Sequence, residues 1–455
     1  MKATAVPFAH RAWATWTTPQ LLWGVLAGVG LALPFGLVLS RVHPPLGVEV
    51  AAGTAFLAFV TLAVVRFDAA VVLGFALLGV VLVEPAPVDL VLLVLVAVAV
   101  VTGRFHARVP PVVLGALGVL LALNFMSAVA VVDPGRAALF LATTAYLVLF
   151  ALWLSGYVES LERARLVAIG YLLAAVSSTA LGMLALFVAL PGRDLLVGNG
   201  RVQAFFQDPN VFGPFLVPIT LILVEDLLAP RLFALRRFVQ ASLVLLLVLG
   251  VVFSFSRGAW VNLTAGVAVA LLVLALRRGG GRRAMLVVLL ALVLAGSVMA
   301  ILAVSGSESF LLERARIQSY DASRFSAQVV GIESAERYPL GVGPGQFEEY
   351  APLSAHSTYV RVLGEQGLPG LLALSVLFMS TLIAGIANAG AGRETYGIGS
   401  AALLGAWCGI LVNSVVVDTL HWRHVWIVAA LIWAGWARGR VLRPRLADQT
   451  RAARA

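Results

Sequence analysis

Residues 88–101 read VDLVLLVLVAVAVV. After Asp89 the run holds no polar side chain. Nothing in it alternates at a period of two or leaves a polar face at a period of 3.6. A helix or strand at a soluble surface keeps one wet face; this segment has none, so its surroundings are apolar. Similar runs recur along the 455 residues, which are 61% hydrophobic and 12% charged, with a mean hydropathy of +0.99. A soluble domain carries about 25% charged residues, and a chain with half that charge cannot cover a soluble surface. Many of the runs reach the ~20 residues that cross a bilayer as a helix. Membrane β-barrels show alternating segments of ~10 residues instead. Continuous runs point to helices, which satisfy their own backbone in lipid. The expected fold class is therefore all-α, a polytopic integral membrane protein.

Candidate spans fall near 20–40, 47–65, 69–84, 88–103, 110–131, 136–155, 165–191, 209–228, 235–254, 258–276, 284–304, 367–389, 396–417 and 424–437. Those at 69–84 and 88–103 are short and together could form one broken hairpin. The expectation is about 12–14 transmembrane helices on the ~20-residue criterion.

Other features narrow the class. The single cysteine, Cys408, lies in an apolar run. It excludes an intramolecular disulfide and a cysteine metal site, and reads as a small buried hydrophobe. The opening MKATAVPFAHRAWATW is weakly basic, and no small-residue cleavage site follows a compact apolar core. The first apolar run is expected to remain as a membrane helix. The net charge of +10 comes from arginines that punctuate the gaps between apolar runs. That is a topology pattern rather than a nucleic-acid patch, so no nucleic-acid partner is expected; the partner is the bilayer.

With the N-terminus placed in the cytoplasm, alternation puts Arg66, Arg104, Arg108, Arg163, Arg165, Arg231, Arg236, Arg237, Arg277, Arg278, Arg282, Arg283 and Arg393 on the cytoplasmic side, with the tail from Arg438. The outer loops carry far fewer arginines, as cytoplasmic retention of basic loops requires. The expected organisation is a transmembrane helical region over 1–304, a long extracytoplasmic loop over 305–356, C-terminal transmembrane helices over 357–437 and a basic cytoplasmic tail over 438–455. A loop of that length should hold its own structure and carry function. Its residues 309–337 mix apolar and charged positions at helical spacing, which predicts one or two short helices stopped by Pro339 and the GVGPG glycines.

Three ionisable residues fall on the outer side at the ends of apolar runs: Arg201 in GNGRVQAFFQDPN, Arg257 in VVFSFSRGAW and His356 in AHSTYVRVLGEQGLPG. Taken singly they have plainer roles, headgroup snorkelling for the arginines and a helix cap for the histidine. Arg257 fits snorkelling poorly, because almost no polar loop surrounds it. Arg201 has Gln203, Gln207, Asp208 and Asn210 as pocket-forming neighbours; Asp208 also suits the cap of a helix with Pro209 at its first position. Together the three fit one task. Two guanidiniums can hold a diphosphate bidentately, and a histidine can take a proton from a hydroxyl near neutral pH. These are the parts of glycosyl transfer from a lipid-diphosphate donor, in which arginine can stabilise the departing charge in place of a metal. No close carboxylate pair or His/Cys/Asp cluster with metal spacing stands out in the outer loops, so no metal is required and no cofactor is expected; the scattered acids Asp194, Asp208 and Asp321 are the alternative metal ligands. Glu348-Glu349 reads as a solvated pair.

The same segments carry a family resemblance. AHSTYVRVLGEQGLPG (355–370) resembles the signature of the O-antigen ligase and polymerase superfamily, a histidine and a small polar residue ahead of a Gly-x-x-Gly element. ERYPLGVGPGQFEEY is similar to the segment before that histidine, RVQAFFQDPNVFGPFL to the family's arginine-then-Pro-Asn segment and SFSRGAW to its Ser-Arg turn. The four lie in the family's order over residues 201–370, and the first 190 residues match only in being hydrophobic helices. The resemblance implies a GT-C-like helical fold with a helical periplasmic loop, in the bacterial inner membrane, with both termini cytoplasmic and the active site facing the periplasm. It implies a glycosyltransferase that moves a glycan from undecaprenyl diphosphate by a metal-independent, inverting reaction, most directly O-antigen ligation onto lipid A core. It maps the two functional arginines onto Arg201 and Arg257 and the base onto His356. The family often has Asn after the histidine, where this chain has Ser357. Secondary candidates for diphosphate or glycan contact are Gln203, Asn210, Ser256, Ser357, Arg324 and Tyr359; for Arg324 a salt bridge to Glu333 or Glu336 is the plainer alternative. VVDTLHWRHVW (416–426) could line the acceptor side, though its tryptophans also suit an interfacial belt. A polymerase or a protein O-oligosaccharyltransferase of the same superfamily would share the donor chemistry. A transporter of lipid-linked glycan would need paired or inverted halves, and none is evident.

Overall fold

The computed structural model describes residues 46–277, 280–316, 319–351 and 353–452. The candidate span at 20–40 lies outside the described residues. Proline opens Pro87–Val101, Pro111–Ser127, Pro134–Tyr157 and Pro209–Leu228, where its fixed φ suits a first turn and its missing N–H costs nothing. Asp133, Ser160 and Asp208 cap their helices by accepting from Arg136 N, Arg163 N and Asn210 N.

Among the described residues, seven helices are long and apolar enough to cross a membrane: Leu46–Val65, Pro134–Tyr157, Leu161–Phe187, Pro209–Leu228, Arg257–Leu276, Gly281–Ser305 and Thr358–Gly390. Shorter apolar helices at Phe67–Gly79, Pro87–Val101, Pro111–Ser127, Arg237–Phe253 and Ser400–Asn413 pack among them, and Arg423–Ala452 is the last described helix. The all-α polytopic class is the one found. The apolar runs divide by surroundings. In Pro87–Val101, Val88, Leu92, Leu95, Val98 and Ala99 are all buried against protein. In Gly281–Ser305 only 17% of the apolar window is buried, so its surface requires lipid.

One close helix pair sets up the site. Arg257–Leu276 runs against Ser400–Asn413 with glycines at the crossing. A Cβ on Gly405 would lie 2.4 Å from the Gly266 carbonyl oxygen, one on Gly409 2.3 Å from Asn262 Oδ1, and one on Gly258 2.6 Å from Asn413 Oδ1. The pairing is antiparallel and works only where backbones can approach. It brings the start of one helix, Arg257, beside the turn that follows Asn413.

Residues 305–356 join the same end. They form Glu308–Ala315, Ser319–Arg337 and the short turn Phe347–Tyr350. The GVGPG glycines then cross the helix that begins at Thr358. Val342 N and Gly343 N donate to the Gly364 and Glu365 carbonyls at 2.9 Å each, with Gly341 and Gly343 at φ 81° and 102°. At Gly367 (φ 67°, ψ −171°) the helix breaks. A Cβ there would lie 1.9 Å from the Pro339 oxygen, so a short helix at 358–366 and the membrane span after it are separate pieces. At the other end of the bundle, arginines pair with acids: Arg277 with Glu225 at 3.1 Å, Arg108 with Glu159 at 2.7 Å, and Arg231 with Glu394.

Two expectations change. Glu348 and Glu349 are not a solvated pair: Glu348 binds Arg361 and Arg136, and Glu349 lies 3.4 Å from Arg136. The tryptophans of the 416–426 region are not a belt. Trp422 is 9% and Trp426 4% exposed, and Trp426 Nε1 donates to the Leu420 carbonyl; they pack inside the bundle because that segment turns inward.

Candidate active site

Arg201 owes its position to a tight hairpin. Asn199 and Gly200 both take positive φ, 53° and 72°, as a two-residue Asn-Gly turn of the primed type requires. The turn pairs Gly198 with Arg201. The Arg201 guanidinium then donates to the Ser254 carbonyl (Nε, 2.9 Å) and to Asn210 Oδ1 (Nη2, 3.0 Å). Asn210 in turn donates to Asp208, the cap of Pro209–Leu228.

Arg257 follows a three-residue turn. Phe253 ends one helix, Phe255 takes φ 46°, and Ser256 caps the next by accepting from Ala259 N. Arg257 Nη1 donates to the Arg316 carbonyl at 3.1 Å. The two arginines therefore border one turn, Arg201 through Ser254 and Arg257 by sequence.

His356 sits at φ 45°, in the left-handed region that a residue with a Cβ seldom occupies. Its neighbours hold it there. Gln328 Nε2 donates to its carbonyl at 3.2 Å. Ser357 caps the following helix and donates to the Ser414 carbonyl, and Thr358 N donates to the same oxygen at 2.9 Å. Burial, and then the Arg324 guanidinium, push the His356 imidazole below its ordinary value, with Asp208 opposing. It is neutral near pH 7 and able to accept a proton.

These parts meet at a cavity of about 380 Å³, lined by Asp208, Asn210, Arg257, Gly258, Val261, Arg314, Arg324, Phe325, Gln328, His356, Val416 and Val417. Three helix N-termini converge on it, at Pro209, Arg257 and Thr358. Their dipoles favour an anion. Three guanidiniums line it against one carboxylate, that of Asp208. Asn210, Gln328 and His356 add polar groups, and Val261, Phe325, Val416 and Val417 give the wall an apolar side. An anionic head with an apolar stem suits such a lining.

Of the residues singled out in the sequence, Arg257, His356, Arg324 and Asn210 line the cavity, and Arg201 stands directly behind Asn210. The other four lie outside the lining and bind backbone. Gln203 Nε2 donates to the Leu195 carbonyl, Ser256 and Ser357 are buried caps, and Tyr359 OH donates to the Leu411 carbonyl at 3.1 Å. Arg314 and Gln328 were not singled out. Arg314 shares the string RAR with Arg316, and only the helix of Glu308–Ala315 selects which of the two turns inward. Among the described residues no group of three or more His, Cys, Asp or Glu side chains gathers to hold a metal ion.

Beside the cavity, Arg361 is 7% exposed and ties three segments together. It pairs with Glu348 from the long loop, with Glu365 at 2.9 Å on its own helix, and with Asp418 at 2.5 Å in the turn before Arg423–Ala452. The two arginines together hold Glu348 below the usual carboxylate range against its burial, Arg361 more strongly than Arg136.

Residues 242–375 fit the family model described as O-Antigen ligase, a stretch that contains Arg257 and His356 but not Arg201. No curated protein matches the chain.

Proposed function

We propose a membrane glycosyltransferase that moves a glycan from undecaprenyl diphosphate to an acceptor hydroxyl in the 380 Å³ cavity; the fit of residues 242–375 to the O-Antigen ligase family model supports this reading. The observation that carries this reading is the meeting of a neutral histidine with a cluster of guanidiniums and three helix N-termini at one cavity. His356 takes the proton from the acceptor hydroxyl as its oxygen attacks the anomeric carbon. The bond from that carbon to the diphosphate oxygen breaks, and the bonding pair leaves with the diphosphate. Arg257 meets that growing charge at the helix start. Arg201 adds its charge from behind Asn210, and Arg324 contacts phosphate or sugar from the long loop. One displacement inverts the anomeric centre. Arginines and helix N-termini do the work that a divalent cation does elsewhere, so the reaction is metal-independent.

The acceptor is lipid A core, which makes the reaction an O-antigen ligation. The arginine distribution supports an inner-membrane protein with cytoplasmic termini. In that frame 1–304 and 357–437 are the membrane regions of a GT-C-like enzyme, 305–356 is a periplasmic loop and 438–455 a cytoplasmic tail. Purified protein given undecaprenyl-diphosphate glycan with either lipid A core or a second lipid-linked repeat tests this. Product on core alone supports ligation, product on the repeat alone makes the enzyme a polymerase, and no release of undecaprenyl diphosphate from either overturns the transferase reading.

A further inference from the structure

A second cavity, of about 170 Å³, lies on the other side of the turn that joins Ser400–Asn413 to the last helix. Val416 and Val417 of that turn line the first cavity, and His421 and Arg423 line the second. Asp418 stands between them, paired with Arg361. The other walls are Glu84, Pro85, Asp89, Arg136, Leu139, Phe140 and Thr143. The two cavities are thus separated by a few residues of one turn.

The charges here are matched within the protein. Arg423 binds Asp89 through two nitrogens, and Tyr146 donates to the same carboxylate. Arg136 is engaged by Glu348 and Glu349. Neither cation has charge left for a phosphate. A metal or ammonium ion would meet one further carboxylate, Glu84, beside the Arg423 guanidinium, which opposes a cation. Burial raises the Glu84 carboxyl above its ordinary value, with Arg423 opposing. His421 is neutral, since burial pushes its imidazole down to about 4. Its Nε2 meets Thr144 Oγ1 at 2.9 Å and its ring packs on Phe140 with centroids 4.3 Å apart. What remains is a carboxyl, a threonine hydroxyl and a neutral imidazole, set beside the apolar sides of Leu139 and Phe140. A ring that bears several hydroxyls on an apolar body has that chemistry. A charged headgroup does not.

We infer that this second cavity is a sugar-ring subsite of the transfer reaction, in which Glu84, Thr143 and His421 bind hydroxyls of a glycan whose reacting end lies at His356. The inference rests on the proposed glycosyl transfer. It also follows from size. A site of 380 Å³ is at the small end of the 300–1,000 Å³ that hold a drug-sized ligand, so a diphosphate and its first sugar fill it and the remaining sugars lie elsewhere. The ring comes from the acceptor or from the donor glycan.

Direct binding tests it, with delipidated core oligosaccharide and delipidated O-antigen repeat as the two probes. Each is titrated into purified full-length wild type, Glu84→Gln and Thr143→Val, and transfer is measured alongside. Among the described residues Glu84 makes no ion pair, so its variant should fold. The expected result is that one probe binds wild type and binds Glu84→Gln about tenfold more weakly, the size of the loss of one hydrogen bond. Core as the affected probe identifies the acceptor ring; the repeat identifies a ring of the donor glycan. A dissociation constant within twofold of wild type in both variants, or no binding of either probe to wild type, overturns the subsite. If transfer nonetheless proceeds in wild type and fails in His356→Ala, the proposed function survives that loss.

Discussion

At the scale of single residues, His356 carries the most specific expectation. Its imidazole is held low by burial and by Arg324, and the reaction uses its neutral form. Activity should hold through neutral pH and fall as pH drops through the histidine's own value, giving an acidic limb with a midpoint below 6.5. Arg324→Gln removes a cation that disfavours the imidazolium, so the limb should move to higher pH. A limb that stays put or moves lower in that variant would contradict the assigned proximity, as read from a pH–rate profile on purified protein. Arg257→Ala should lower kcat by about 10²–10³, the cost of removing one charge-stabilising donor, while the protein stays folded in the membrane. Arg257 was legible in the sequence as a charge at the end of an apolar run with little polar loop around it, and His356 as an ionisable residue at the border between the long loop and an apolar run. Ser256 and Ser357 were legible only as neighbours. Their own geometry, an Oγ turned back on the first helical turn, is that of a cap, and the sequence does not separate a capping serine from one facing substrate.

At the scale of elements, the piece that presents His356 is the short helix at 358–366 with the loop that crosses it. Arg361→Met leaves Glu348, Glu365 and Asp418 without their common partner. Breaking a buried ion pair in this way costs about 3–5 kcal/mol. The expected outcome is a marked drop in the midpoint of thermal unfolding in detergent; an unchanged midpoint would show that the hub is not structural. Gly341→Ala should also destabilise, because its φ of 81° disfavours a Cβ and the added atom would lie 2.1 Å from the Glu365 carbonyl carbon. The end of the short helix was readable, since Gly367-Leu368-Pro369-Gly370 spells a break. The hub was not. Arg361 and Asp418 are far apart in sequence, and Arg136 reaches Glu348 across 212 positions. No local pattern announces a partner at that distance, so Glu348 and Glu349 read as solvated.

At the scale of the whole molecule, composition alone fixed the class, because a chain with 12% charged residues and runs such as 88–101 has nowhere to fold but a bilayer. The number of spans was less legible. Pro87–Val101 and Ser400–Asn413 are as apolar as true spans but are short, and are buried among other helices; hydropathy does not separate a helix surrounded by protein from one surrounded by lipid. The proposed orientation rests on the arginine distribution and is open to a direct check. In a Cys408→Ala background, Glu336→Cys should react with a membrane-impermeant maleimide in intact spheroplasts, and Ala391→Cys only after permeabilisation. The reverse pattern would place the cavity on the cytoplasmic side and contradict the proposed donor.

The central claim is that one cavity, with His356 as base and Arg257 at the departing diphosphate, performs glycosyl transfer. It is tested most directly by release of undecaprenyl diphosphate from its glycan by purified wild type, His356→Ala and Arg257→Ala in the presence of lipid A core. The account predicts release by wild type and loss of it in both variants, each still folded; normal release by both variants would contradict it.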